Sequence, residues 1–329
     1  MATPSSVVGE MLSLTMYNRS KTMADGISKN TPLLFELKDN AKLVSGGESI
    51  LEPQLFTESA GFKWYSGGET LNTGYTEQFT SFRFQFKQAA VAVVVNGLET
   101  DVQNTGKEQL FDIVEQRLQA AEYTMNNQIA TSIESDGTGD GGRQIGGLGL
   151  LVSSAPTSGT VGGIDRATYT WARNSAFRAN SDMSITLGPT NIAAWYGYCM
   201  DALTRNNEKP NVIYAGGTHF RWYREGMQNL QQFVTLGTDG KAVSALGGGG
   251  LEFMGAKVIN GGGYSGVATA TVTRFLNTNH IFFKTAKKRN FVPLASRDSF
   301  NQDMTVRYLA WAGNMTFRNA FLHGQGQAS

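Results

Sequence analysis

One stretch constrains the fold of this 329-residue chain more than any other. From Lys107 to Ser132 a single apolar stripe, Leu110, Val114, Leu118, Ala121, Met125 and Ile129, recurs at three- and four-residue steps. Glu115, Gln116, Gln119 and Glu122 keep another side polar. That periodicity predicts one amphipathic helix. At 1.5 Å per residue it spans about 40 Å, which is long for a globular domain.

Residues 45–88 are the second constraint. Gly46-Gly47, Gly61 and Gly67-Gly68 punctuate short strands, the pattern of a long hairpin. The return arm, Phe82–Lys87, alternates strictly and sets Phe82, Phe84 and Phe86 on one side. Phe56, Phe62, Lys63, Trp64 and Tyr65 occupy the excursion before it. A two-stranded hairpin is marginal alone in water, so this one needs a surface to lie on. In an ordinary domain the phenylalanine stripe would be core. On a protruding hairpin it is an exposed patch, and such patches mark interaction sites.

The remaining chain mixes helices and strands. Val8, Met11, Leu12 and Met16 predict a helix over residues 5–24, closed by Gly26. Residues 31–37 read as a short strand, and Ala89–Val95 as a buried strand with no alternation. Asp136–Leu150 is glycine-rich and reads as a domain boundary. Beyond it, helices are expected over 191–203 and 218–230, and strands over 211–214 and 253–259. Interleaving of this kind predicts a sheet flanked by helices. Ile281–Phe283 and the alternating Met304, Val306 and Tyr308 read as closing strands. The fold class is α+β.

Chemistry-bearing motifs are thin. Gly147-Leu-Gly149 lacks the third glycine of a nucleotide fingerprint, and Thr105-Gly106-Lys107 lacks the rest of a phosphate loop. Asp136 and Asp140 are a meagre ligand set for calcium. Cys199, the one cysteine, falls on the apolar face of a helix, where a core thiol is expected. Nothing in the spacing makes Asp201 and His219 its partners. One cysteine and three scattered histidines argue against zinc, and no cofactor or metal is expected. Asn18 and Asn314 stand in glycosylation triplets that mean nothing without a secretion signal, and none is read at the N-terminus. The basic cluster Lys284, Lys287, Lys288 and Arg289 reads as a solvated turn or a salt bridge to a neighbouring subunit. Charged residues are 17% and net charge is +1, which argues against a dedicated nucleic-acid binder. No apolar run is long enough to span a membrane.

The order of several segments carries more. Ile145–Val152 (IGGLGLLV), Thr160–Asn174 (TVGGIDRATYTWARN), Phe275–Asn279 (FLNTN) and Asn301–Asn319 follow one another in a way that resembles tailed-bacteriophage major capsid proteins of the Hong Kong 97-like fold. The resemblance covers nearly the whole chain. It implies an N-terminal arm (1–30), an extended loop lying over an adjacent subunit (45–88), a peripheral domain (31–44, 89–144 and 286–329) with a spine helix over about 107–134, and an axial domain (145–285). Phe56, Phe62, Lys63, Trp64, Tyr65, Phe82, Phe84 and Phe86 would then be inter-subunit interface residues, with no catalytic residue. Gly137–Gly149 and Gly247–Gly250 would be flexible joints.

The implied partners are further copies of the chain in hexamers and pentamers, a separate scaffolding protein, a portal and a decoration protein. Non-specific contact with packaged DNA is implied, and no membrane. The implied location is the virion, and the host cytoplasm during assembly. Some members of the family join subunits through a Lys–Asn isopeptide bond. Lys63 lies in the loop, but no partner asparagine or glutamate is assignable, so a non-covalent shell is expected. An encapsulin-like cargo compartment of the same fold and an unrelated α/β enzyme are the alternatives.

Overall fold

The computed structural model describes residues 32–39, 41–96, 107–228, 251–262, 269–298 and 302–328. The expected helix over 5–24, Gly247–Gly250 and Leu230 lie outside them. The longer helices are α1 (Pro32–Asp39), α2 (Lys107–Ile133), α3 (Ile192–Leu203) and α4 (Gly217–Gln228). The strands, in chain order, are β1 (Lys42–Val44), β2 (Ser49–Leu55), β3 (Phe79–Gln85), β4 (Lys87–Asn96), β5 (Thr160–Val161), β6 (Ile164–Asp165), β7 (Ser175–Arg178) and β8 (Val212–Ala215). They continue with β9 (Leu251–Phe253), β10 (Ala256–Asn260), β11 (Val272–Leu276), β12 (Ile281–Ala286), β13 (Val292–Pro293), β14 (Arg297–Asp298), β15 (Met304–Phe317) and β16 (Gly324–Gln327).

The long apolar stripe is one unbroken helix, as its period predicts. From Arg117 onward, where side chains are described, Ala121, Met125, Ile129 and Ile133 stand at four-residue steps and are buried. They pack across β4 and β15. Met125, Ile129 and Ile133 each contribute roughly 1.5–3 kcal/mol on leaving water, which holds the helix against the sheet.

Two sheets share the body. In the first, β12 lies between β1 and β15, and β15 also pairs with β13, β14 and β4. β15 is the axle. Along one edge it pairs antiparallel with β4 from Met304↔Asn96 to Gly313↔Lys87. Along the other it takes β14, β13 and β12 in turn. The second sheet runs β7-β16-β11-β8-β10-β9, with α3 and α4 against it. Its core gathers Trp195, Tyr196, Cys199, Ile213, Tyr223 and Phe275. Val212, Tyr214 and Leu276 of the same sheet join the core under α2, so the two layers are continuous.

Three polar links fasten neighbouring helices, hairpin and loop to the sheets. Glu134, just past α2, pairs with Arg274 on β11, both nearly buried. Lys257 on β10 meets Glu36 on α1 at 2.9 Å. Asn314 is buried on β15. Its amide donates to Gln85 O at 2.8 Å, and its oxygen accepts from Gly146 N at 3.2 Å. An asparagine so enclosed is a strut and no glycosylation acceptor.

Several expectations need correction. Residues 32–39 are helix and not strand. Pro32 suits a first helical turn, and Leu33, Leu34 and Leu37 share one buried face at helical spacing. Ala89–Val95 is a strand but not a buried one, for only Val93 is below a tenth exposed. Among the described residues it pairs with β15 alone, which makes it an edge there. Residues 253–259 are two strands, turned at Met254 and Gly255, both at positive φ. Within the loop 137–149 the stretch 145–148 is buried and close-packed, while Gly141 and Gly142 stand open. A Cβ on Gly147 would collide with the Ile133 carbonyl. β12 belongs to the first sheet and β16 to the second, against an expected division at residue 285. The closing strands therefore stitch both sheets.

Candidate assembly surface

The hairpin β2–β3 has two faces. Its register pairs Ile50 with Phe84, Glu52 with Phe82 and Leu55 with Phe79. Side chains alternate, so Ile50, Glu52, Gln54, Phe82 and Phe84 turn inward and are buried. Phe82 lies 5.0 Å from the Phe317 ring and 5.5 Å from that of Trp171. Arg83 N donates to Gly162 O at 2.8 Å. A Cβ on Gly162 would press on Phe82, and its φ of +57° is one that glycine adopts freely. The segment Thr160–Asn174 is thus the hairpin's seat within its own chain.

A buried carboxylate clamps the same base. Glu52 is 0% exposed. Its Oε1 lies 2.5 Å from Lys284 Nζ and accepts from Thr316 Oγ1 at 2.8 Å. Its Oε2 accepts from Arg318 Nε at 3.2 Å. Every lone-pair direction of a buried acid that stays unfilled is costly, and here two cations and a hydroxyl fill them. The sequence reading missed Glu52. Its parity with Ile50 and Gln54, on the face of Phe82 and Phe84, was the available signal.

The tip behaves differently. Between Phe56 and Gln78 no strand forms. Phe62, Trp64 and Tyr65 are 73%, 87% and 65% exposed. Among the described residues the ring contact of Phe62 and Trp64 is with each other, edge to face, at 5.4 Å. Lys63 pairs with Glu69 at 2.6 Å. Tyr75 and Phe79, which the sequence reading did not single out, are also exposed, with Leu55 beside Phe79 on the outward face. Phe79 has the opposite parity to Phe82, which foretells its side. Phe56 is half-buried against Trp171 at 5.8 Å.

The interface expectation therefore divides. Phe82 and Phe84 are core of their own chain, and Phe86 packs half-buried against it. The reason is that the return arm lies on Trp171 and Phe317 and does not protrude. Lys284 likewise finds a partner in its own chain, in Glu52.

The fold that carries this hairpin aligns with a chain of the cyanophage A-1(L) capsid asymmetric unit over 93% of this chain and 94% of that one, with a TM-score of 0.65 and 13% identity. The capsid of the native GTA particle aligns over 94% and 93%, at 0.56 and 11%. The capsid of cyanophage P-SCSP1u aligns over 94% and 91%, at 0.54 and 12%. This chain has the phage capsid fold. No family model and no curated protein sequence matches it.

Within this phage capsid fold the other candidate residues are structural. Cys199 is buried, and burial followed by the Asp182 charge pushes its thiol up, away from the reactive thiolate. His219 Nδ1 shares a 2.9 Å hydrogen bond with Thr273 Oγ1, and burial lowers its pKa to about 4. Asp201 is exposed. The geometry assembles no nucleophile with its base. Asp136 spends its carboxylate on Thr138, which lowers its pKa. Among the described residues no cluster of three acids, histidines or cysteines could hold a metal. None of the described helices is long and apolar enough to cross a membrane.

Proposed function

We propose that this chain is the major capsid protein of a tailed bacteriophage, with a Hong Kong 97-like fold, and that it acts as a structural protein and not an enzyme. Copies assemble as hexamers and pentamers into an icosahedral shell around double-stranded DNA, within the virion, after assembly in the host cytoplasm. Residues 45–88 serve as the extended loop, with α2 as spine of a peripheral domain built on the first sheet. The second sheet forms the axial domain, and residues 1–30 the N-terminal arm. A separate scaffolding protein, a portal and a decoration protein complete the particle, and contact with the DNA is non-specific. The shell is held by non-covalent contacts.

One observation carries this reading. On a fold shared end to end with capsid chains, the hairpin is firmly anchored at its base yet holds Phe62, Trp64 and Tyr65 in water. Exposed aromatic patches of this kind mark interaction sites. Many modest contacts suffice once several neighbours raise one another's effective concentration. The test is electron microscopy and sedimentation of the purified chain, with and without a scaffolding protein. Closed icosahedral particles are expected. A chain that stays monomeric or dimeric under all salt and scaffold conditions contradicts the proposal.

A further inference from the structure

A ridge of cations runs along β12 and the turn that follows it. Lys42 on β1 stands opposite Lys284 on β12 in the parallel register. Lys287 N donates to Val44 O at 2.9 Å, which brings the turn Lys287, Lys288 and Arg289 beside the end of β1. Arg318, just past β15, completes the row. Phe282 lies beneath it, with Lys42 Nζ at 3.8 Å, Arg318 Cζ at 5.1 Å and Lys284 Nζ at 5.8 Å from the ring centre. The carboxylate bonded to this ridge is Glu52, which is buried and already shared by Lys284 and Arg318. Lys42, Lys287, Lys288 and Arg289 are exposed, and among the described residues no carboxylate pairs with them.

The tip of the hairpin has the complementary chemistry. Lys63 is neutralised by Glu69, which leaves Glu58 and Glu77 exposed with no cationic partner among the described residues. The same tip offers the faces of Trp64, Tyr65 and Tyr75. Lysine and arginine bind both groups, carboxylates by charge and aromatic faces by cation–π attraction. Among the described residues no ion pair or ring contact joins the tip to the ridge of its own chain, and the rings of the tip stand in water.

We propose that the exposed cations of this ridge, Lys42, Lys287, Lys288 and Arg289, receive the acidic, aromatic hairpin tip of a second copy of this chain. The inference rests on the self-assembly reading above and adds the receptor to it. The contact joins unlike surfaces, so it is head-to-tail, the kind that closes into rings when the rotation permits.

Charge reversal with rescue tests the pairing in the full chain. Glu58→Lys with Glu77→Lys gives the tip the sign of the ridge, and Lys287→Glu with Lys288→Glu gives the ridge the sign of the tip. All four positions are exposed, so circular dichroism should match the parent chain. Each pair alone should cut sedimenting particles at least about tenfold, since like charges in contact oppose association. The chain carrying all four changes should recover them. Particle yield unchanged by either pair overturns the proposal, and so does failure of the fourfold variant to recover. Ridge variants that form normal shells but hold less nucleic acid also overturn it, for the ridge would then face phosphate. A parent chain that forms no particles at all removes the self-assembly reading itself and is told apart from these outcomes.

Discussion

At the base of the hairpin Phe82 and Phe84 are 0% and 5% exposed, while at its tip Phe62 and Trp64 are 73% and 87% exposed. Both regions are aromatic, and both lie on one short excursion of the chain. What separates them is the availability of a seat. The base has Trp171, Phe317 and the Gly162 carbonyl beneath it and Glu52 clamped between Lys284 and Arg318. The tip has only itself. An aromatic stripe therefore states that a surface must be covered and leaves open which chain covers it.

The largest effect should come from breaking the base. Phe82→Asp removes a fully buried ring and leaves a carboxylate in its place. The loss should exceed the roughly 3–5 kcal/mol of a plain Phe→Ala change, enough to unfold the subunit in a thermal melt. A folded Phe82→Asp monomer would mean that the base, too, awaits a neighbour.

Mild acid sharpens the contrast, because the buried histidines lie in the body and the tip holds none. Burial lowers the pKa of His219 to about 4, and burial aided by His280 lowers that of His323 to about 3. The unfolded chain binds protons at these sites once the pH falls below 6.5, whereas the native chain does not until those lower values. The stability they allow is present above pH 6.5 and declines as the pH falls. At pH 5 each should account for about 2 kcal/mol in a denaturant titration. His219→Gln should flatten that slope. An unaltered slope would show that the ring is already charged in the folded state.

Next in size is Glu52→Gln, which keeps the shape and strips the charge from the clamp. Lys284 is only 12% exposed and would lose its counter-ion. A drop of roughly 2 kcal/mol in monomer stability is expected, well short of unfolding. No change would mean that the clamp contributes nothing to holding the base.

Much of this was legible because period and parity survive folding. The helix at Lys107, the helix at Ile192 and the alternating return arm followed from spacing alone. What was lost depends on neighbours distant in sequence. Leu33, Leu34 and Leu37 fit strand or helix until Pro32 is weighed as a helix start. The apolar run at Ala89 looks buried until β15 proves to be its one partner strand among the described residues. The glycines at 146 and 147 suggest a hinge until Ile133 and Asn314 are seen pressed against them. At the candidate surface, Phe62, Trp64 and Tyr65 were located by residue type. Phe82 and Phe84 were misassigned because their seat, Trp171, stands far along the chain.

The smallest effect on the monomer and the sharpest on assembly should come from Trp64. Trp64→Ala should leave subunit stability within about 0.5 kcal/mol. Oxidative footprinting of the parent chain, before and after assembly, tests the central claim directly. Trp64 should be readily oxidised in the unassembled subunit and strongly protected in the particle, while the buried Trp195 and Trp311 remain protected throughout. Equal oxidation of Trp64 in both states would contradict the account, because the tip would then have no neighbour to cover it.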